Sequence, residues 1–214
     1  MTPFPLVLSA PSGGGKTTIA NALVEAREDV GYSVSATTRA PRPKERDGVD
    51  YHFLAREEFE RRVRAGEFLE WAEYSGERYG TLKAEVDRVL ASGRHVVLDI
   101  ETNGARAVRA CYPDAVLVFV VPPSAEELLQ RLGGTRGTRA GTLEARLRRA
   151  VEEVAEVTGY DYVVVNADRT EAVAEVAAIL DAESCRPRRN PELADDMAQL
   201  GRDLAALADR LTQK

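Results

Sequence analysis

The sequence predicts an α/β fold built on a mostly parallel, five-stranded sheet, and three observations carry that reading. Short apolar runs alternate with longer amphipathic patterns of helical period along most of the chain. The runs are rich in Val, Leu and Phe and too short for helices, as strands covered on both faces are. The balance of 44% apolar and 30% charged residues over 214 positions suits one globular α/β unit with insertions or a tail.

The five strand-like runs are residues 4–9, 32–35, 95–100, 115–121 and 160–166. Helical patterns cover residues 16–27, 104–111, 125–132, 143–157 and 170–183. Two stretches break the alternation. Residues 36–83 hold β-like pieces at 51–54 and 68–74 and a polar helix at 56–65, so an inserted unit with its own small sheet is expected. Residues 133–142 are rich in Gly, Thr and Arg and read as a flap. Beyond Pro187 comes a polar helix carrying Leu193, Met197, Leu200, Leu204, Leu207 and Leu211, a heptad seam. That seam favours a contact between copies of the chain, a homo-oligomer, over packing within it.

A net charge of −6 argues against a broad nucleic-acid surface but leaves room for local basic pockets. No run of about 18 apolar residues exists, so no membrane span is expected. No basic segment precedes an apolar signal core, and Cys111 and Cys185 stand alone, so the expectation is a cytoplasmic protein with free thiols. His52 and His95 do not stand at metal-ligand spacing, and no zinc site is predicted.

The first strand runs into Ala10-Pro11-Ser12-Gly13-Gly14-Gly15-Lys16-Thr17, and a helix follows. This is the spacing of a phosphate-binding loop, with Ala in place of its first Gly. The glycines allow backbone N–H groups to turn inward, and the helix start adds positive potential. Lys16 supplies a point charge to the β- and γ-phosphates of a nucleoside triphosphate, and Thr17 a hydroxyl ligand for Mg²⁺. The run from His95 to Asp99 is an apolar strand ending in an acid, so Asp99 is a second Mg²⁺ candidate, with a helix cap as its plainer role.

The acceptor side decides the function. Arg39 and Arg42 lie three apart across a proline-stiffened turn, a spacing that can grip one phosphate from two sides. Tyr51 and Tyr79 offer hydroxyls to the same group. Glu70, inside the inserted unit, suits guanine, whose N1–H and N2–H₂ donors match a carboxylate while adenine's N1 acceptor would strand it. Ser35 and Thr81 can reach guanine O6.

These residues resemble guanylate kinases. The segments Ser9-Ala10-Pro11-Ser12-Gly13-Gly14-Gly15-Lys16-Thr17-Thr18, Ser33-Val34-Ser35-Ala36-Thr37-Thr38-Arg39-Ala40-Pro41-Arg42, Asp47-Gly48-Val49-Asp50-Tyr51-His52-Phe53, Gly66-Glu67-Phe68-Leu69-Glu70-Trp71-Ala72 and Tyr79-Gly80-Thr81 match in order and spacing, and the likeness covers residues 4–184. It implies a three-layer P-loop core (1–34, 85–130 and 149–184), a small α+β GMP-binding insertion (35–84), a lid (131–148) and a helical C-terminal extension (185–214).

The resemblance also implies roles. Residues Ala10 to Thr18 look like the ATP site, with Mg²⁺ on Thr17 and Asp99. Arg39, Arg42, Tyr51 and Tyr79 look like ligands of the GMP phosphate, supported by Glu45, and Ser35, Glu70 and Thr81 like guanine readers. Glu101 stands where the family often has Asp on the guanine side, and Asn103 where it has Gln. Lys16, Arg39, Arg136 and Arg146 look like the catalytic cations, with Arg131 a third lid candidate. The implied activity is transfer of the γ-phosphoryl group of ATP to GMP. Two rivals remain at this level: a P-loop kinase for another phosphorylated small molecule, and a non-catalytic binding module of the same fold. The intact Gly15-Lys16-Thr17 weighs against the second.

Overall fold

The computed structural model describes residues 1–74, 76–134 and 142–212. Its centre is a five-stranded parallel sheet. In chain order its strands are β1 (Pro5–Ser9), β2 (Val30–Tyr32), β7 (His95–Asp99), β8 (Val116–Val121) and β9 (Tyr162–Val165), and they lie side by side as β2-β7-β1-β8-β9. Every residue of β1 is buried, as a central parallel strand requires.

Period-two alternation along β1 feeds two cores. Leu6 and Leu8 face Ile19 and Leu23 of α1 (Lys16–Ala26) and Val176 and Leu180 of α7 (Arg169–Ser184). Val7 belongs to the opposite face, with Val86 and Val89 of α3 (Lys83–Ala91) and Ala105 and Val108 of α4 (Thr102–Cys111). Helices on both faces give three layers.

The inserted stretch forms a second sheet from β3 (Ala36–Thr37), β4 (His52–Phe53), β5 (Phe68–Tyr74) and β6 (Glu77–Leu82), in the order β4-β3-β6-β5. Its helix α2 (Arg56–Arg64) buries Phe59, which stacks on Phe68 at 4.4 Å between ring centroids. Phe59, Phe68, Ala36 and Leu82 form a small core of their own.

Sequence periodicity did not reveal β3, β6 or α3. The first is two residues long. The second is broken by Gly80, and the third shows only Val86 and Val89 on its buried face. The strand expected at residues 32–35 lies earlier, at Val30–Tyr32, because the chain there turns towards the second sheet, where Ser35 O accepts from His52 N at 2.9 Å.

Towards the C-terminus, α5 (Ala125–Gly134) and α6 (Leu143–Ala155) pack through Leu128, Leu132 and Ala150. Beyond α7, Arg189 is buried, paired with Glu183 at 3.0 Å and set over the Phe4 ring at 3.8 Å. The last helix, α8 (Leu193–Thr212), exposes Met197, Leu200, Leu204, Leu207 and Leu211 by 48–75%. No helix among the described residues is long and apolar enough to cross a membrane.

Candidate active site

Parallel pairing puts the carboxyl ends of β1 and β7 side by side, with Leu8 opposite Asp99, so the loop leaving β1 and the acid ending β7 meet at one edge. Within that loop Gly13 and Gly15 take φ values of 89° and 95°, which side chains disfavour. Gly14 has no room for a side chain. A Cβ there would come within 2.7 Å of Ala10 Cβ, and the Gly14 N–H donates to Pro11 O at 2.7 Å. Ala10 itself avoids positive φ and is buried, so alanine is accommodated in place of glycine. A cavity of about 190 Å³ lies here, lined by Pro11, the three glycines, Lys16, Thr17, Thr18 and Arg131. A cavity of about 240 Å³ at the other end of the sheet, against Phe4 and Cys111, lacks such a cradle.

Two side chains that sequence reading did not single out hold the loop. Asn166, at the end of β9, donates through Nδ2 to Gly14 O at 2.9 Å and would clash with any side chain at Gly15. Glu153, buried on α6, accepts from the Ser12 N–H at 3.2 Å. The only sequence signal for Asn166 was a polar residue closing an apolar strand; Glu153 offered none.

Thr17 Oγ1 donates to Asp99 Oδ2, and Tyr32, another residue missed from sequence, donates its hydroxyl to Asp99 Oδ1. Burial, with Asp99 beside it, raises the Tyr32 phenol well above its ordinary range, so it stays a donor. Among the described residues, no group of three or more His, Cys, Asp and Glu stands together to hold a metal. Thr17 and Asp99 nevertheless form a hard-oxygen pair at the cavity edge. That fits Mg²⁺, which takes few protein ligands and completes its shell with water and phosphate oxygens.

On the second sheet, Arg39 makes a bidentate pair with Glu45, both contacts 2.9 Å, and lies over the Tyr51 ring at 5.5 Å. Glu45 also accepts from the Arg42 N–H at 2.7 Å. Lys44, at φ 84°, is the one described non-glycine residue with positive φ, and it makes the tight turn that returns Glu45 to Arg42. The Arg42 side chain is exposed, while Tyr51 lies beside Tyr79 with ring centroids 6.1 Å apart. Asp99 acts electrostatically on Tyr51, which ties this cluster to the edge of the large sheet.

Strand pairing sets Glu70 opposite Thr81, and the threonine hydroxyl donates to Glu70 Oε1 at 2.7 Å. Burial, and then the charge of Glu101, raises the Glu70 carboxyl above its ordinary value. Gly104 of α4 allows this approach: a Cβ there would lie 2.9 Å from Glu70 Cγ. Ser35 is half-buried where the chain enters the second sheet. Glu101 is exposed at the start of α4 and pairs with Arg149 of α6.

Among the cations expected of a lid, Arg131 donates to Asn166 O at 2.9 Å and pairs with Glu127 at 3.0 Å. Arg146 donates to Leu132 O at 3.0 Å. Arg136 lies outside the described residues.

A phosphate cradle at the carboxyl edge of a parallel sheet, with a separate face of arginines and a half-buried carboxylate beside it, is the plan of P-loop kinases that move a phosphoryl group between two nucleotides. Comparison with known proteins narrows that class. The family model for guanylate kinase matches residues 2–183. The guanylate kinase of Symbiobacterium thermophilum is 53% identical over 186 residues, covering 86% of this chain and 88% of that one. That of Rubrobacter xylanophilus is 51% identical over 175 residues, covering 82% and 92%. The crystal structure of guanylate kinase from Anaplasma phagocytophilum superimposes with a TM-score of 0.72 at 35% identity, covering 91% of this chain and 93% of that one. The chain belongs to the guanylate kinase family.

Proposed function

We propose that this cleft performs the family reaction with two binding faces, a donor face on the P-loop and an acceptor face on the second sheet. As a guanylate kinase, the chain is a transferase that passes the γ-phosphoryl group of ATP to GMP, giving ADP and GDP. Residues Ala10 to Thr18 bind the ATP phosphates. Arg39, Arg42, Tyr51 and Tyr79 hold the GMP phosphate, with Glu45 fixing the fork of Arg39. Glu70, Thr81, Ser35 and Glu101 read the guanine. On this reading residues 35–84 act as the acceptor unit, 131–148 as a lid, 185–214 as an extension and the remainder as the core. Thr17 and Asp99 would hold Mg²⁺, which supplies charge neutralisation on the phosphate oxygens when bound. The setting is cytoplasmic purine metabolism and the recycling of GMP.

An oxygen of the GMP phosphate attacks the γ-phosphorus in line. The bond from that phosphorus to the bridging oxygen breaks, and its electron pair leaves on ADP. The nucleophile is already anionic, so no strong general base is needed, and the work is positioning and charge neutralisation by Lys16, Arg39, Arg146 and Arg136. Lid closure keeps water from the γ-phosphate.

The observation that supports this reading is the half-buried Glu70 carboxylate, which accepts from the Thr81 hydroxyl and packs against Gly104 of α4. A coupled assay for ADP formation tests it, with GMP, AMP, UMP and ribose phosphates as rival acceptors. We expect turnover with GMP at least about a hundredfold above AMP, as a buried acceptor left without its donor imposes. Equal use of AMP would overturn the guanine reading.

The exposed seam of α8 supports a further proposal, that the tail joins two or more copies of the chain. Truncation after Asn190 spares Arg189 and its packing on Phe4. Full-length protein should elute as an oligomer and the truncation as a monomer; identical elution would refute the tail contact.

A further inference from the structure

A chain of charges crosses the cleft from the guanine side to the phosphate loop. Glu70 feels the charge of Glu101, which stands at the residue before α4. Glu101 is paired with Arg149 on α6, and Arg149 also contacts Glu153 at 3.1 Å. Glu153 in turn accepts from the Ser12 N–H of the phosphate loop. The same helix carries Arg146 one turn earlier, on a side chain that donates to Leu132 O at 3.0 Å.

The two limbs of this chain differ. Glu153 is 8% exposed and fixed, whereas Glu101 and Arg149 are 53% and 50% exposed. The outer limb is therefore a screened surface pair, weak and breakable, and the inner limb a firm support. A planar guanidinium can serve both carboxylates at once. Arg149 itself is not among the groups placed on the transferring phosphate.

We infer that Arg149 is a positioning residue that couples guanine occupancy to nucleotide triphosphate binding. The inference rests on the reading of this cleft as a site for GMP and ATP. Guanine N–H donors beside Glu70 and Glu101 offset the repulsion between the two carboxylates and hold Glu101 in place. Glu101 then holds Arg149, and Arg149 holds α6, which carries Glu153 under Ser12 and Arg146 one turn earlier. Each substrate thereby tightens the other, and linkage requires the effect to be mutual.

Calorimetric titration with the non-hydrolysable β,γ-methylene analogue of ATP, with and without saturating GMP, measures this coupling. In the wild-type chain we expect GMP to tighten analogue binding about fivefold or more. In Arg149→Met the factor should fall to within about twofold of unity, and Glu101→Gln/Arg149→Met should lose no more than the single variant, as one shared interaction dictates. Melting curves show whether Arg149→Met remains folded; a residue that merely supported the fold would lower both affinities and leave their ratio intact. Wild-type coupling retained in folded Arg149→Met would overturn the inference and leave the functional reading standing. Failure of the wild-type chain to bind GMP at all would overturn both.

Discussion

Lys16→Ala lowers kcat for GMP-dependent ADP formation by about a thousandfold, the scale expected when a charge aimed at a developing phosphoryl transition state is removed. Lys16 opens α1 and lines the phosphate cavity, where no acid of the first helical turn competes for it. The fold does not depend on it. The face of α1 that enters the core is made by Ile19, Ala20 and Leu23, so the melting temperature should move by no more than about 2 °C, as for a surface change of a few tenths of a kcal/mol. Steady-state kinetics beside a thermal melt read both quantities. A variant with wild-type turnover would remove Lys16 from the mechanism.

The second large effect is on the acceptor. Glu70→Gln should reduce kcat/KM for GMP by about a hundredfold or more, because the amide presents an N–H₂ group towards guanine donors that need an acceptor. In the absence of GMP, binding of ATP, held on the other face, should change by less than about threefold. The direction of the Glu70 shift adds a pH signature. Burial raises its carboxyl, so protonation begins nearer neutrality than for an ordinary glutamate, and KM for GMP should climb as the pH falls. Glu70→Gln has no such proton to gain and should lose that part of the climb; equal losses for both substrates, with the pH limb intact, would make Glu70 structural.

The inner strands β1, β7 and β8 were legible because they are buried on both faces, so their composition alone marks them. The phosphate loop was legible because its glycines serve a local backbone geometry that adjacent residues encode. What sequence reading missed is non-local. Asn166 meets Gly14 from 152 positions away, and Glu153 reaches Ser12 across 141. No periodicity encodes such meetings; they follow from the order in which strands pair. Tyr32 escaped notice for the same reason, since only the pairing of β2 with β7 brings it to Asp99. The strand β6 was hidden by Gly80, whose missing side chain is explained only by the close passage of β5: a Cβ there would lie 2.7 Å from Glu70 O.

The separate small core under the second sheet has a consequence for how such a molecule can change over generations. Phe59, Phe68, Ala36 and Leu82 share no cluster with the residues that anchor β1 and α1. Substitutions around Phe59 and Phe68 draw on the small core's own reserve of stability, and only Leu69 of β5 reaches from the second sheet into the cluster that holds Val7. A lineage can therefore retune which base it accepts in small, individually survivable steps. The machinery that grips the triphosphate is embedded in the central strand of the main sheet and has far less freedom to drift.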